Sequence, residues 1–369
     1  MRKIRPTLLV SALAAAAALA VGVGTPPAQG ASAGSSEVFS GQVSREISYR
    51  AMIFQTPAAN GAYEGMDVND LGQLVASQLP HDRQDFIGDS FGRTTWLSRE
   101  ATGCAQELWP DAGRARFIDA RGQVVGEGQC TIYHPRAGNW AITRWSSAKA
   151  APALTQHGLV MGGPLTVVAT NTAGEVLIRL EGVTLEPMDR VTERGGTRLV
   201  DARGKAWSVI GNDLAEDGTV VGRLVTETFP ERGVPFATRG STAVPLVAPP
   251  GVESPSADAG AVAVSPNARW IVGGFGPHAV RWDVRRAPGS LPSGFSPVDV
   301  NDHGVVLGRA GEGWAVWSPL GGLRSVRLPG LPAGVRVKSM AKINWWGQIA
   351  ATVTGTDGID RAALLSPGR

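Results

Sequence analysis

The sequence is short of the residues that usually announce a chemistry. Its five histidines, at 81, 134, 157, 278 and 303, are spread along the chain without an H-E-x-x-H or any Cys/His ligand spacing, so no metal site and no cofactor is expected. Beyond the N-terminus no apolar stretch of about 18 residues occurs, so no membrane span is expected in the mature chain. Charge of one sign is also lacking. The formal net charge is +3, but Arg2, Lys3 and Arg5 lie in the first 33 residues with no acid beside them, and the remainder balances to zero. That removes the electrostatic case for a nucleic-acid partner, which requires a net basic face. Cysteine is limited to Cys104 and Cys130.

What is present begins with an export signal. Met-Arg-Lys-Ile-Arg leads into an Ala-rich apolar run over 7–24, then Thr25-Pro26-Pro27 and small residues, the pattern of a secretory signal peptide. Ala31-Ser32-Ala33 places cleavage after Ala33, with Ala28-Gln29-Gly30 an earlier alternative. The run is short for a retained span, and no cysteine sits close after it to carry a lipid. Residues 34–37 read as a disordered leader and 38–369 as one domain. In an exported protein Cys104 and Cys130 meet an oxidising environment, where one disulfide is the expected state and two buried thiols the alternative. The loop of about 26 residues would contribute about 3 kcal/mol in the chain-entropy picture.

The organising feature is a repeat. Asp299-Val300-Asn301-Asp302-His303-Gly304 is flanked by short apolar runs, and the same shape recurs as Asp67 to Gly72, Phe117 to Gly122, Ala169 to Gly174, Asp213 to Gly218, Ala263 to Ala268 and Lys342 to Gly347. The closing positions 72, 122, 174, 218, 268, 304 and 347 are 36 to 52 residues apart. Asn or Asp at the head of such a turn bonds its own backbone, and Gly at the end takes the positive φ that closes a hairpin with a bulge. The runs after the turn lack polar alternation and read as strands buried on both faces. Trp-bearing runs such as Ala279-Val280-Arg281-Trp282 and Trp314-Ala315-Val316-Trp317 supply further strands. About 45 residues with four short strands is the size of one β-propeller blade, so the expected fold is all-β, a seven-bladed propeller. The last copy has room for three strands, and the N-terminal segment around Tyr49 is expected to supply its fourth and close the ring, which removes open edges. Copies three and five are the weakest in sequence.

These residues resemble the extracellular HAF-repeat proteins, whose repeats carry an apolar-Asn-Asp-x-Gly-x-Val-Val-Gly hairpin followed by a His-Ala-Phe-like strand. Asp299 to Gly308 fits the first half and Pro277-His278-Ala279-Val280-Arg281-Trp282 resembles the second, and the likeness covers about residues 60–369. It implies a secreted propeller-like repeat protein and no particular reaction.

Candidate chemistry is sparse. Gly88-Asp89-Ser90-Phe91-Gly92 matches G-x-S-x-G, but a nucleophile elbow needs a helix after its Ser, and Arg93 to Leu97 reads as a strand. The Asp-x-Asn copies lack the bidentate Glu of a calcium loop, carrying Gln78, Leu224 and Ala310 at the twelfth position. Trp345 and Trp346 sit in a turn, so one of them should be exposed. Loops that join second to third strands are expected to carry a ligand site, with His81, Asp82, Arg83, Asp85, Tyr133, His134, Arg136, Glu231, Arg232, His278, Asp360 and Arg361 as binding candidates. The expected function is a secreted, monomeric binding module for an extracellular protein or glycan. The competing expectation is a glycan hydrolase or lyase using axial carboxylates such as Asp85, Glu231 and Asp360, which would stand roughly 5 to 10 Å apart.

Overall fold

The computed structural model describes residues 45–55, 61–79, 85–98, 109–131, 139–156, 165–180, 188–192, 195–201, 209–225, 232–252, 254, 256–284 and 286–368. They fall within one compact unit, Ser44–Arg369, and every regular element among them is a strand. The signal and leader expectations, and both the pairing and the Cys104 half of the disulfide, lie outside the described residues.

Each of the first six turn copies ends the first strand of a four-stranded antiparallel meander, and the seventh ends the first of three strands. The first is Ala62–Val68, Leu74–Leu79, Phe86–Gly88 and Thr94–Trp96. The corresponding first strands of the later copies are Trp109–Ile118, Leu165–Thr170, Val209–Leu214, Gly260–Val264, Phe295–Val300 and Arg336–Ile343. Hydrogen bonding groups these meanders into four sheets of four strands, one of five and one of eight. In the eight-stranded sheet the N-terminal strand Arg45–Ile53 joins two runs. Its Tyr49 to Ile53 pair antiparallel with Pro367 to Ala363, and its Arg45 to Ser48 run parallel to Arg324 to Arg327.

Two local rules repeat in every unit. One is a bulge just before the turn: Met66, Arg116, Val168, Asn212, Val262, Val298 and Ala341 are each passed over in the register of the first strand with the second. The extra residue bends the strand and brings its carbonyls inward. Ala76, Ile178 and Ala351 face the bulge in the first, third and seventh units, but elsewhere there is no room for a side chain: a Cβ on Gly126, Gly222 or Gly273 would stand 1.9, 2.0 or 2.1 Å from a first-strand carbonyl oxygen. That is the physical reason for the Gly that ends Val-Val-Gly in this repeat.

The other rule is the turn itself. Asn69 N donates to Gln73 O and Gly72 N to Asn69 O, both at 3.0 Å, and the same pair of bonds recurs at Asn171, Asn301 and Asn344. The closing residue has positive φ in all seven copies, including Ala268 at φ 55. Copy three, weak in sequence, is therefore built like the rest, while copy five closes with Ala268 N on Ser265 O but is one residue longer, Ser265 N donating to Trp270 O. A left-handed Ala carries a steric cost that Gly lacks. Ala268→Gly is expected to raise stability by about 1 kcal/mol, read as a higher urea midpoint at unchanged slope; a lowered midpoint would contradict this account of the turn. Asp89-Ser90-Phe91-Gly92 is the same hairpin turn, with Gly92 N on Asp89 O, so Ser90 sits between two strands and not on an elbow.

The second strands are buried on both faces because adjacent units pack face to face. Leu74 and Ala76 lie in a cluster with Ala350, Ala362 and Leu364 of the last unit, while Val75 between them packs with Ile118, Val124 and Trp145 of the second. Tryptophans finish these seams with their indole N–H on a neighbouring carbonyl, Trp145 on Ser98 O at 2.7 Å and Trp282 on Val247 O at 2.8 Å.

Candidate functional site

The conspicuous residues of the repeat reach across to other units. Asn69, Asn171, Asn301 and Asn344 each fold their own turn through Oδ1, as with Leu71 N and Gln73 N on Asn69. Each also donates Nδ2 to the equivalent carbonyl of the next unit: Asn69 to Asp119 O, Asn171 to Ala215 O, Asn301 to Asn344 O and Asn344 back to Asn69 O, at 2.8 to 3.1 Å. An Asp two residues before the head of the turn, in the first, fourth and sixth units, does the same in reverse. Asp67, Asp213 and Asp299 accept from Ile118 N, Val264 N and Ile343 N of the following unit at 2.9, 2.9 and 2.7 Å. The acid one place after the head of the turn caps the preceding unit's turn. Asp70 accepts from Trp345 N at 2.8 Å and Glu216 from Thr172 N at 2.9 Å. Asp302 accepts from Asn267 N at 2.8 Å, one residue on, because Pro266 has no N–H to give.

All of this converges on one cavity of about 350 Å³ at the ends of the first strands. Its lining holds seven carboxylates, Asp67, Asp70, Asp119, Asp213, Glu216, Asp299 and Asp302, and a single cation, Lys342. In the aligned repeat Lys342 takes the position held by Asp in copies one, four and six. Its ammonium lies 3.2 Å from Asp213 Oδ1 and 3.4 Å from Asp299 Oδ1, with 26% of the side chain still accessible. Burial works against the Lys342 charge, but Asp213, Asp299 and Asp67 outweigh it and hold its pKa above the usual value. Asp299 is pushed up to about 6, by burial first, with Lys342 pulling down and Asp213 and Asp67 pushing up. Burial likewise raises Asp67, against Lys342 and two backbone N–H groups. At the rim, burial raises Asp302; the Asn267 N–H opposes it, and Asp70 and Glu216 add to it across the opening. Aromatic surface adjoins this rim. His303 and Trp345 meet in a tilted contact, ring centroids 4.0 Å apart and planes at 55°, and Trp346, 66% exposed, donates its indole N–H to Asp70 O.

The binding candidates read from the sequence are distributed differently. His81, Asp82, Arg83, Tyr133, His134, Arg136 and Glu231 lie outside the described residues, as does the side chain of Cys130. Asp85 is buried, with Oδ1 accepting from Gln78 N and Ser77 Oγ and Oδ2 from Ala115 N of the next unit, so its carboxylate is committed to a seam. Arg232 and His278 are exposed at the starts of their strands in the fourth and fifth units. Asp360 is held by Lys338 at 2.6 Å and Thr354 at 2.7 Å, and Arg361 forms a fork on Asp357. The described members are thus spread over the first, fourth, fifth and seventh units. The sequence signal for this cavity was the pair of aligned columns beginning Asp67 and Asp70.

Among solved structures the chain is similar to virginiamycin B lyase from Staphylococcus aureus, at 12% identity and a TM-score of 0.50, over 86% of this chain and 99% of that one. With its sheets arranged as small consecutive meanders, that likeness decides the fold. It is a propeller. Lower similarity is found to a gluconolactonase from Xanthomonas campestris (15% identity, TM-score 0.37, 87% of this propeller and 90% of that chain) and to YCF48 bound to D1 peptide (12%, 0.47, 87% and 97%). No protein-family model matches the propeller, and a search of curated proteins found no match.

Proposed function

We propose that this chain is a secreted, seven-bladed propeller of the HAF-repeat type that works as a binding module, seating a cationic group of its ligand in the axial acid-lined mouth on the face that carries the turns. The blade count is supported by a division of the eight-stranded sheet at its parallel pairing, and closure by the N-terminal strand on Pro367 to Ala363. The first strand of the last unit also touches that of the first, and Asn344 bonds Asn69 O. Export rests on the signal-like N-terminus.

The observation that carries the binding reading is the convergence of seven carboxylates on one cavity in a chain whose charges otherwise balance. Low-dielectric walls focus such a field, which attracts an amine or guanidinium. Trp345 and Trp346 beside the rim supply a face on which the ligand's apolar stem can lie. Asp85 and Asp360, by contrast, have their oxygens engaged by neighbouring donors, and neither is free to act on a glycan.

A calorimetric titration with an oligolysine peptide, beside its fully Nε-acetylated form, tests the seat. The free amine is expected to bind, more weakly as salt rises, and the acetylated form to fail. Asp70→Asn, Glu216→Gln and Asp302→Asn together keep an acceptor oxygen for each neighbouring turn and should weaken binding at least tenfold, about 1.4 kcal/mol, without lowering the melting temperature. Equal binding of the acetylated peptide would overturn the proposal.

A further inference from the structure

The same first strands open at their other ends onto a second, larger cleft, and it is built differently. A space of about 780 Å³ lies among the fourth, fifth and sixth units, lined by Asn212, Arg223, Asp258, Ser293 and Ser296 together with glycine backbone. Two of the bulges described above shape it: they place Asn212 and Val262 in its wall, where unbulged strands would put their neighbours.

Three features mark this cleft as more than a gap between loops. Arg223 has no ion-pair partner among the described residues, yet its stem is held firmly. A Cβ on Gly233 would come 2.4 Å from Arg223 Cγ and Cδ, and one on Gly260 3.4 Å from its Cβ. Two glycines thus make a slot for the arginine stem, and an arginine so held presents its guanidinium at low entropic cost. Asp258 adopts φ 54, a conformation that costs a non-glycine residue energy and that gathers at ligand sites. Its carboxylate, exposed, carries no ion pair or hydrogen bond among the described residues. Asn212 is fixed by donating Nδ2 to Ala261 O at 2.8 Å, which leaves its Oδ1 to accept.

The geometry points to a second binding site here, for a small hydroxylated carboxylate of the sugar-acid type. The guanidinium of Arg223 matches a carboxylate through two parallel N–H bonds. Asp258, as an acceptor-only group, matches a pair of neighbouring hydroxyls, and Asn212, Ser293 and Ser296 supply the single polar contacts that fix orientation. A neutral sugar would leave Arg223 unmatched, and a simple carboxylate would leave Asp258 and the hydroxyls unmatched. This site shares no residue with the acid-lined mouth and stands or falls apart from it.

The test is titration of the purified chain with glucuronate, glucose and acetate, followed by calorimetry and by amide shifts in NMR spectra. Glucuronate is expected to bind at least tenfold more tightly than either of the others and to move the Asn212 and Gly260 amides. Arg223→Gln should weaken glucuronate at least tenfold while leaving oligolysine binding unchanged. Arg223→Lys, which keeps the charge without the fork, should fall between, and it serves if the Gln variant melts early. Asp258→Asn keeps a side chain that tolerates positive φ and should narrow the preference for glucuronate over acetate. Glucose or acetate binding as tightly as glucuronate, or glucuronate affinity unchanged in both Arg223 variants, would overturn the proposal.

Discussion

Replacing Lys342 with Met is expected to destabilise the propeller by about 3 kcal/mol and lower its melting temperature by roughly 5 to 10 °C. The lysine stands between Asp213 and Asp299, at 3.2 and 3.4 Å, and those carboxylates are 8% and 5% exposed. Removing one partner of a buried ion cluster leaves the others without compensation, a larger loss than the pair's own net contribution. A quarter of the lysine side chain stays accessible, which places the effect at the low end of the range for buried pairs. Two further results separate this account from simple loss of packing. Adding Asp213→Asn and Asp299→Asn to Lys342→Met should recover at least half of the loss, because the stranded charge is gone. The loss should also shrink at pH 5, where Asp299, pushed up to about 6, takes up a proton. A Lys342→Met protein that melts with the wild type, or a triple variant that melts lower still, would show the axial charges to be independent of one another.

How much of this was legible beforehand varies with the physics involved. Turns and buried second strands are local properties, and Asn69 with Gly72, or Val220 with Val221, carries them in its own few residues. The role of the same Asn as a link between units was not legible. Its Nδ2 partner lies 43 to 50 residues on, or 275 back for Asn344, and which carbonyl stands there depends on how the sheets pack. Asp299 to Gly304 is a turn and also part of the cavity wall, because Asp299 and Asp302 line it. Lys342 was the visible anomaly, a cation in a column otherwise holding Asp, Phe or Ala. Asp85 looked like a loop acid because the strand Phe86–Gly88 beside it is only three residues long, too short to show a period, and depth cannot be read from charge pattern. The bulges left one trace, the Gly of Val-Val-Gly, whose cause is a carbonyl on a neighbouring strand.

The pH dependence of stability is the second large effect, and its sign runs opposite to common acid denaturation. Asp299 is pushed up to about 6 by burial, and Asp85 is also pushed up to about 6 by burial, against hydrogen bonds from Ala115 N, Gln78 N and Ser77 and the pull of Arg114. Asp67 and Asp302 are raised as well. In the unfolded chain these groups titrate near 3.9, so between about pH 4 and 6 the native state holds more protons and stability falls as pH rises. A shift of two units corresponds to about 3 kcal/mol for one group once it is fully ionised. Below that window the sign reverses, because Arg361 holds Asp357 well below the usual carboxylate range, and that contribution is lost on acidification. The urea midpoint is therefore expected to be higher at pH 5.0 than at pH 7.5. Asp299→Asn should flatten the slope between them by about half, since the proton it stops exchanging is one of the two largest contributors. A midpoint that rises from pH 5.0 to 7.5, or a slope indifferent to Asp299→Asn, would mean that the axial carboxylates are already balanced by Lys342 and carry no excess charge for a cationic ligand to neutralise.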